Sequence, residues 1–270
     1  MMQIACHAWA FNHLPLEEAL GTIARLGFQA VDLGVGPHIN IDEAIREPLP
    51  TAQHIRLLLD DFHLQLTDLY VMLPHINAPD AERREQEMVR FERLIPFVAE
   101  LGTPGITILP GVVTEDGPDH AIARAIPALQ RMVDAVEDTD FRLSVETHIK
   151  SAASSPQRAI VLLEAVPGLS LTLDLAHFIA QSVPWPMIRN LFEYTAHIQV
   201  RQAAARAIQC RFEDGVLDFE QLIKDLAEAD YHGALSIEYL ISKEQTLAIT
   251  HEIVKTRDAL RQARYQALHI

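Results

Sequence analysis

The chain has 270 residues, 49% of them apolar, which is enough to bury one large core and close to the roughly 250 residues that a single barrel of alternating strands and helices takes. Its 22 Lys and Arg stand against 37 Asp and Glu, and the net charge of −15 argues against a nucleic-acid binder or a partner of anionic membrane surfaces. Two cysteines, Cys6 and Cys210, are too few for a disulfide framework and fit a reducing cytoplasm, where this chain is expected to reside; neither a signal peptide nor a membrane-spanning run is read from the sequence.

Short apolar runs alternate with longer amphipathic ones. Gln3–Trp9 reads as a strand, and Leu16–Leu26 as a helix with one apolar face, stopped by Gly27. Ala30–Val35 is the second strand. Gly36–Leu49 holds two prolines and no clear period and reads as a loop with room for one helical turn, followed by a helix over Thr51–Phe62. Leu64–Val71 is the third strand, Ala81–Leu101 a long helix ended by Gly102, and Gly105–Leu109 the fourth strand, closed by Pro110-Gly111. A helix over His120–Val136 leads to the fifth strand, Arg142–Glu146. Ser155-Pro156 supplies a cap and a first-turn proline for a helix to Val166. Ser170–Asp174 is the sixth strand, Trp185–Tyr194 a short helix and His197–Arg201 the seventh strand. Asp218 and Gln221 resemble a capping box for a helix to Ala229, Ala234–Tyr239 is the eighth strand, and Ser242 and Gln245 are read as caps of a last helix to about Ala263.

Strands that alternate with helices imply a parallel sheet, and eight such units close into a (β/α)8 barrel. The open doubly wound alternative usually carries a glycine-rich first turn, whereas here that turn reads HAWAFNH. Residues 1–270 are therefore read as one α/β domain, a single TIM barrel.

The site of such a barrel lies at the C-terminal ends of its strands. Four of these ends carry oxygen-bearing side chains: Glu146 in RLSVETH, Asp174 in LTLDLAHF, Gln199 in AHIQVRQ and Glu238 in ALSIEYL. A lone acid at a strand end is more often a helix cap or a loop ion pair; four at matching ends point to a shared site. Three carboxylates cannot all ionise at close quarters without a cation, and Mn2+ or Mg2+ suits an oxygen-rich set, with Zn2+, Co2+ or Fe2+ as alternatives. Strand alternation places His148 with Glu146, and His197 and Arg201 with Gln199. His177 follows Asp174 by three residues and is expected to reach over the mouth from a loop, and His7 to come from the first strand. His197 reads as a satisfied histidine one layer down. Asp32 and Asp68 are weaker candidates, as are Arg206 and Arg211 for a phosphate or carboxylate.

On VETH, LDLAHF, HIQVRQA, the Glu213–Phe219 segment EDGVLDF and SIEY, the chain resembles the xylose isomerase-like TIM-barrel proteins. These are the sugar phosphate isomerase/epimerase group that includes ketose 3-epimerases. The resemblance implies a divalent metal on Glu146, Asp174, Gln199 and Glu238. It also implies a substrate-contacting His177; Arg201, His148 and His7 are read as further substrate contacts from their places at the strand ends. The family's seventh strand usually reads His-x-His with the second His as ligand; here that position is Gln199, and the position two further on, often acidic, is Arg201. The expected activity is isomerisation or epimerisation of a small sugar or polyol through an enolate, with Glu146 and Glu238 moving the proton. The alternatives are a non-catalytic sugar-binding barrel and a metal-dependent hydrolase or lyase. Barrels of this type commonly pair, so a homodimer is within expectation.

Overall fold

The computed structural model describes residues 2–241 and 247–267. The chain begins with β1 (Gln3–His7) and a 3-10 turn over Ala8–Phe11, then α1 (Leu16–Arg25), β2 (Ala30–Gly34), α2 (Ile41–Arg46), α3 (Pro48–Asp61) and β3 (Gln65–Val71). It continues with α4 (Ala81–Leu101), β4 (Gly105–Ile108), α5 (Pro118–Val136), β5 (Arg142–Glu146), α6 (Pro156–Ala165) and β6 (Ser170–Asp174). The remainder is α7 (Leu175–Ala180), α8 (Trp185–Arg189), β7 (Thr195–Val200), α9 (Phe219–Glu228), β8 (Ala234–Ile237) and α10 (Ile249–Ala267). Each strand pairs in parallel with the next, and β8 returns to β1 along Gln3–Cys6, so the sheet closes as a barrel.

Alternation along the strands divides the side chains into two sets. Val31, Leu33, Leu171, Leu173, Ile198, Val200, Leu235 and Ile237 are buried and apolar. The alternate positions of these strands point into the barrel and are polar at Asp32, Thr172, Asp174, His197, Gln199 and Ser236, with the small residues Ala30, Gly34 and Ala234 among them. Contacts between strands that are not neighbours establish this: Tyr70 on β3 bonds Glu146 on β5, Thr107 on β4 meets Thr172 on β6, and His197 on β7 bonds Asp32 on β2. Barrel interiors are more commonly filled by Val, Ile and Leu. This one is filled by groups that need partners.

The helices differ from the sequence reading at identifiable places. The helical turn allowed for in Gly36–Leu49 is present as α2, and the following helix starts earlier than Thr51. Asn40 caps α2 by accepting from the Asp42 and Glu43 amides, and α3 starts at Pro48, where a proline at the first helical position lacks only a donor that would be unused. Trp185–Tyr194 is not one helix: α8 ends at Arg189, and a separate 3-10 turn covers Phe192–Tyr194. The segment after β6 is a helix at once, because Asp174 caps α7. The predicted caps Ser242 and Gln245 lie outside the described residues. Among those described, no helix is long and apolar enough to cross a membrane.

Candidate active site at the mouth of the barrel

Parallel register sets the level of each functional side chain. Asp174 on β6 is level with Gln199 on β7, and Gln199 with Ser236 on β8, two residues before Glu238. Glu146 on β5 is level with Thr172, two residues before Asp174. Glu146, Asp174, His177, Gln199, Arg201 and Glu238 are all 4% exposed or less. The structure thus gathers these six residues, all singled out in the sequence, into one buried cluster.

Within the cluster Glu146 takes a hydrogen bond on Oε2 from the Tyr70 hydroxyl at 2.7 Å, which leaves Oε1 toward His177, 3.9 Å from its Nε2. Asp174 uses its two oxygens differently. Oδ1 accepts from the Ala176 amide at 2.9 Å, capping α7, and Oδ2 lies 3.4 Å from His177 Nε2. His177 therefore sits on the first turn after the strand, held in place by the helix its neighbour caps, rather than on a loop. The Arg201 guanidinium donates from Nη2 to Asp174 Oδ2 and from Nη1 to Glu238 Oε2, each at 2.6 Å. Gln199 Oε1 is buried and finds no donor among the described residues.

His148 is half-buried beside the cluster. Its ring centre lies 4.2 Å from that of His177, and its Nδ1 accepts from the Lys150 amide. His7 lies at the end of β1, where Nδ1 accepts from the Trp9 amide at 3.1 Å and Nε2 is buried without a partner. Trp9 lies 5.0 Å from both the His7 and Tyr70 rings. Gly34 leaves room for it, since a Cβ there would overlap the indole. Tyr70 and Trp9 were not singled out in the sequence. The available signal for Tyr70 was its place two residues beyond Asp68, on the same inward face.

One layer beneath, His197 Nε2 and Asp32 Oδ2 are 2.7 Å apart, and Thr67 donates to the other Asp32 oxygen. Thr107 donates to Asp68 Oδ2 at 2.5 Å. Asp32, Asp68 and His197 thus form a polar floor under the site. Arg206 and Arg211 are exposed on the loop after β7, and Arg211 pairs with Asp214.

Burial sets the charge states. It pushes the Glu146 carboxyl well above the carboxylate range, helped by Glu238 and Asp174 nearby, and pushes Glu238 to about 7 despite Arg201. It pulls His177 down to about 4 against the attraction of Asp174. The short distance between His177 and Asp174 is therefore no ion pair at neutral pH; the imidazole is neutral and has a lone pair to offer. Glu146, Asp174 and His177 have ligand atoms within 4.8 Å of one another and could hold a metal ion. Two carboxylates and a neutral imidazole suit a divalent cation, and the unsatisfied Gln199 oxygen suits a cation or a substrate hydroxyl. Glu238 is not one of these three, and Arg201 holds it as it holds Asp174.

A family model described as xylose isomerase-like TIM barrel matches residues 20–263. Among solved structures, an L-ribulose 3-epimerase superposes with a TM-score of 0.79 at 16% identity, covering 99% of this chain and 97% of its own. A xylose isomerase-like TIM barrel protein from Mycobacterium smegmatis, in complex with magnesium, gives 0.77 at 16% identity over 99% and 98% of the two chains. The probable 3-DHS dehydratase AsbF from Bacillus anthracis gives 0.71 at 16% identity over 96% and 99%. At these identities the likeness is one of fold. A search of curated protein sequences finds no match.

Proposed function

The chain belongs to the xylose isomerase-like TIM-barrel family, and from that membership we propose that it is an isomerase or epimerase of small polyhydroxy carbonyl compounds, sugars or related polyols. The observation that carries this reading is the pair of buried acids Glu146 and Glu238, on strands three places apart round the barrel, both pushed upward by burial. Glu238, pushed to about 7, can both take a proton and give one back, and Glu146, pushed well above the carboxylate range, holds one to give.

In this reading one acid, as its carboxylate, removes the proton from the carbon next to the substrate carbonyl. The C–H electron pair moves into the carbonyl and leaves an enolate. The other acid delivers a proton to the opposite face, which inverts the centre; delivery to the neighbouring carbon gives isomerisation. Tyr70 fixes Glu146 by one oxygen and leaves the other free for the proton. Neutral His177 and the Arg201 guanidinium lie where negative charge would develop, and such preorganised donors are worth most in a site that excludes water. Glu146, Asp174 and His177 would hold a divalent ion, which when bound supplies Lewis-acid polarisation of an oxygen.

The likeness to a ribulose 3-epimerase supports the sugar class, and the likeness to a dehydratase supports the enolate step, since loss of a hydroxyl from the same intermediate is a lyase reaction. One observation favours a second reading, a sugar-binding barrel without turnover: Arg201 already bridges Asp174 and Glu238. The test is incubation with a panel of ketoses and 2-oxo polyols, with and without Mn2+, followed by NMR of the products. A new epimer or isomer that disappears with Glu146→Gln and with Glu238→Gln supports the proposal. Binding of a sugar with no product from any member of the panel supports the second reading instead.

A further inference from the structure

Arg201 is placed between two acids by register. Val200 is level with Ile237, and the Glu238 amide bonds the Val200 carbonyl, so Arg201 emerges beside Glu238. It lies two residues past Gln199, on the inward face, with β6 on one side and β8 on the other. Its guanidinium reaches both. Besides the two carboxylate bonds, Nη1 donates to the Glu238 carbonyl at 2.5 Å and Nε to the Ile208 carbonyl at 2.9 Å. The planar fork is therefore fixed by two strands and a loop, and the residue is 2% exposed.

We infer that Arg201 is the resident cation of this site and competes with a divalent ion for it, an inference that rests on reading the mouth as a metal-capable acid–base centre. Asp174 Oδ1 already accepts from the Ala176 amide in the α7 cap, so Oδ2, which faces His177, is the oxygen better placed for an ion, and Arg201 holds it. The Glu238 carboxylate is held by the same guanidinium. Gln199, on the strand between these acids, adds an oxygen without a charge. An ion entering the cluster meets Glu146 and His177 with Asp174 already shared, and it meets a fixed positive charge a few ångströms away. Ligation by Asp174 Oδ2 or by Glu238 Oε2 requires the guanidinium to give way. A buried guanidinium parts from its carboxylates only if new acceptors replace them. The site thus has two arrangements, one balanced by Arg201 and one balanced by an ion with Arg201 turned toward the substrate space. The first keeps the three acids compatible without any metal.

The experiment is calorimetric titration of Mn2+ alone into the chelator-treated full chain, for the natural protein, Arg201→Gln, Arg201→Lys and the double variant Arg201→Gln with Glu146→Gln. Competition predicts that Arg201→Gln binds Mn2+ about ten- to a hundredfold more tightly, the usual span of coupling between sites. It also predicts that Glu146→Gln abolishes the gain. Arg201→Lys keeps a charge in the barrel, so it remains informative if the glutamine variant does not fold. Its single nitrogen lacks the planar fork by which Arg201 reaches the two acids from separate atoms, and its affinity should fall between the other two. In the natural protein, Mg2+ at saturation should shift the 15N signal of the Arg201 Nε–H group. Equal or weaker binding in Arg201→Gln, with the natural protein binding well, overturns the competition and leaves the metal reading standing. No binding in either overturns both, and an Arg201 signal unmoved by bound Mg2+ overturns the competition on its own.

Discussion

Asp174 shows how one side chain serves structure and chemistry together. One oxygen caps α7 and the other faces Arg201 and His177. Asparagine is as good a cap as aspartate, whereas alanine is not. Asp174→Ala should therefore be less stable than Asp174→Asn by about 1 kcal/mol in urea unfolding, with both variants losing the pairing to Arg201. Tyr70→Phe removes a donor that a buried acid relies on. It should cost about 1 kcal/mol of stability and slow any turnover, while leaving the fold intact by circular dichroism.

His7 is a second residue with a measurable signature. Burial lowers its pKa to about 4, against about 6.5 for an unfolded histidine. Above pH 6.5 neither state is protonated there, and His7 contributes no pH dependence. Between 6.5 and 4 the unfolded chain binds a proton that the folded one refuses, so this residue lowers stability by about 3 kcal/mol across that window. Asp68 and Glu238, whose folded pKa values are raised to about 6 and about 7, favour the fold at low pH and tilt the curve the other way. The difference between the natural protein and His7→Asn isolates the histidine, because asparagine keeps an acceptor for the Trp9 amide and does not titrate. That difference should grow in favour of the variant as melts are repeated from pH 7 to pH 4.5; a constant difference would rule out a depressed His7.

At the scale of elements, the strands were legible because eight apolar runs each end in turn or cap chemistry, and the inward residues follow from alternation alone. The acids of β5, β6 and β8 could be read as one site for that reason. What stayed hidden was long-range: nothing local in HIQVRQ says that Arg201 folds back onto Asp174 and Glu238, or that Tyr70 reaches Glu146 from two strands away. Pro48 misled because a proline that opens a helix looks, in sequence, like one that breaks it. α7 was hidden behind Asp174, which read as a strand end and proved to be a cap as well. The turn after β4 illustrates a constraint legible in part. Pro110-Gly111 marked a stop, but only the structure shows that Gly111 has φ +82° and that a Cβ there would strike Asn77. The Asn77 side chain donates to the Val112 and Ala121 carbonyls and accepts from the Val112 amide, tying the loops after β3 and β4 to α5. Gly111→Ala should therefore destabilise the protein by more than about 1 kcal/mol in urea unfolding, through backbone strain and loss of this staple together.

For the molecule as a whole, the division between an apolar outer face and a polar interior of the sheet is the organising fact. The helices bury the first, which stabilises the barrel. The second cannot be satisfied by packing and is satisfied instead by pairs of strands reaching across the lumen: His197 with Asp32, Thr107 with Thr172, and Glu146 with Tyr70. Toward the mouth these pairs give way to the acid cluster, where Gln199 keeps an unmatched oxygen and His7 and His177 each keep an unmatched nitrogen. Unmatched buried polar atoms also lie deeper, at Asp68, Ser144, His197 and Ser236, so what sets the mouth apart is its gathering of acids. The central claim is that this end moves a proton on and off carbon. The direct measurement is incubation of the polyhydroxy carbonyl panel in D2O, read by NMR for deuterium at the carbon beside the carbonyl. The account predicts incorporation into at least one compound by the natural protein, falling by about a hundredfold or more with Glu146→Gln or Glu238→Gln. Turnover without deuterium, as a hydrolase would give, or incorporation undiminished in both variants, would contradict it.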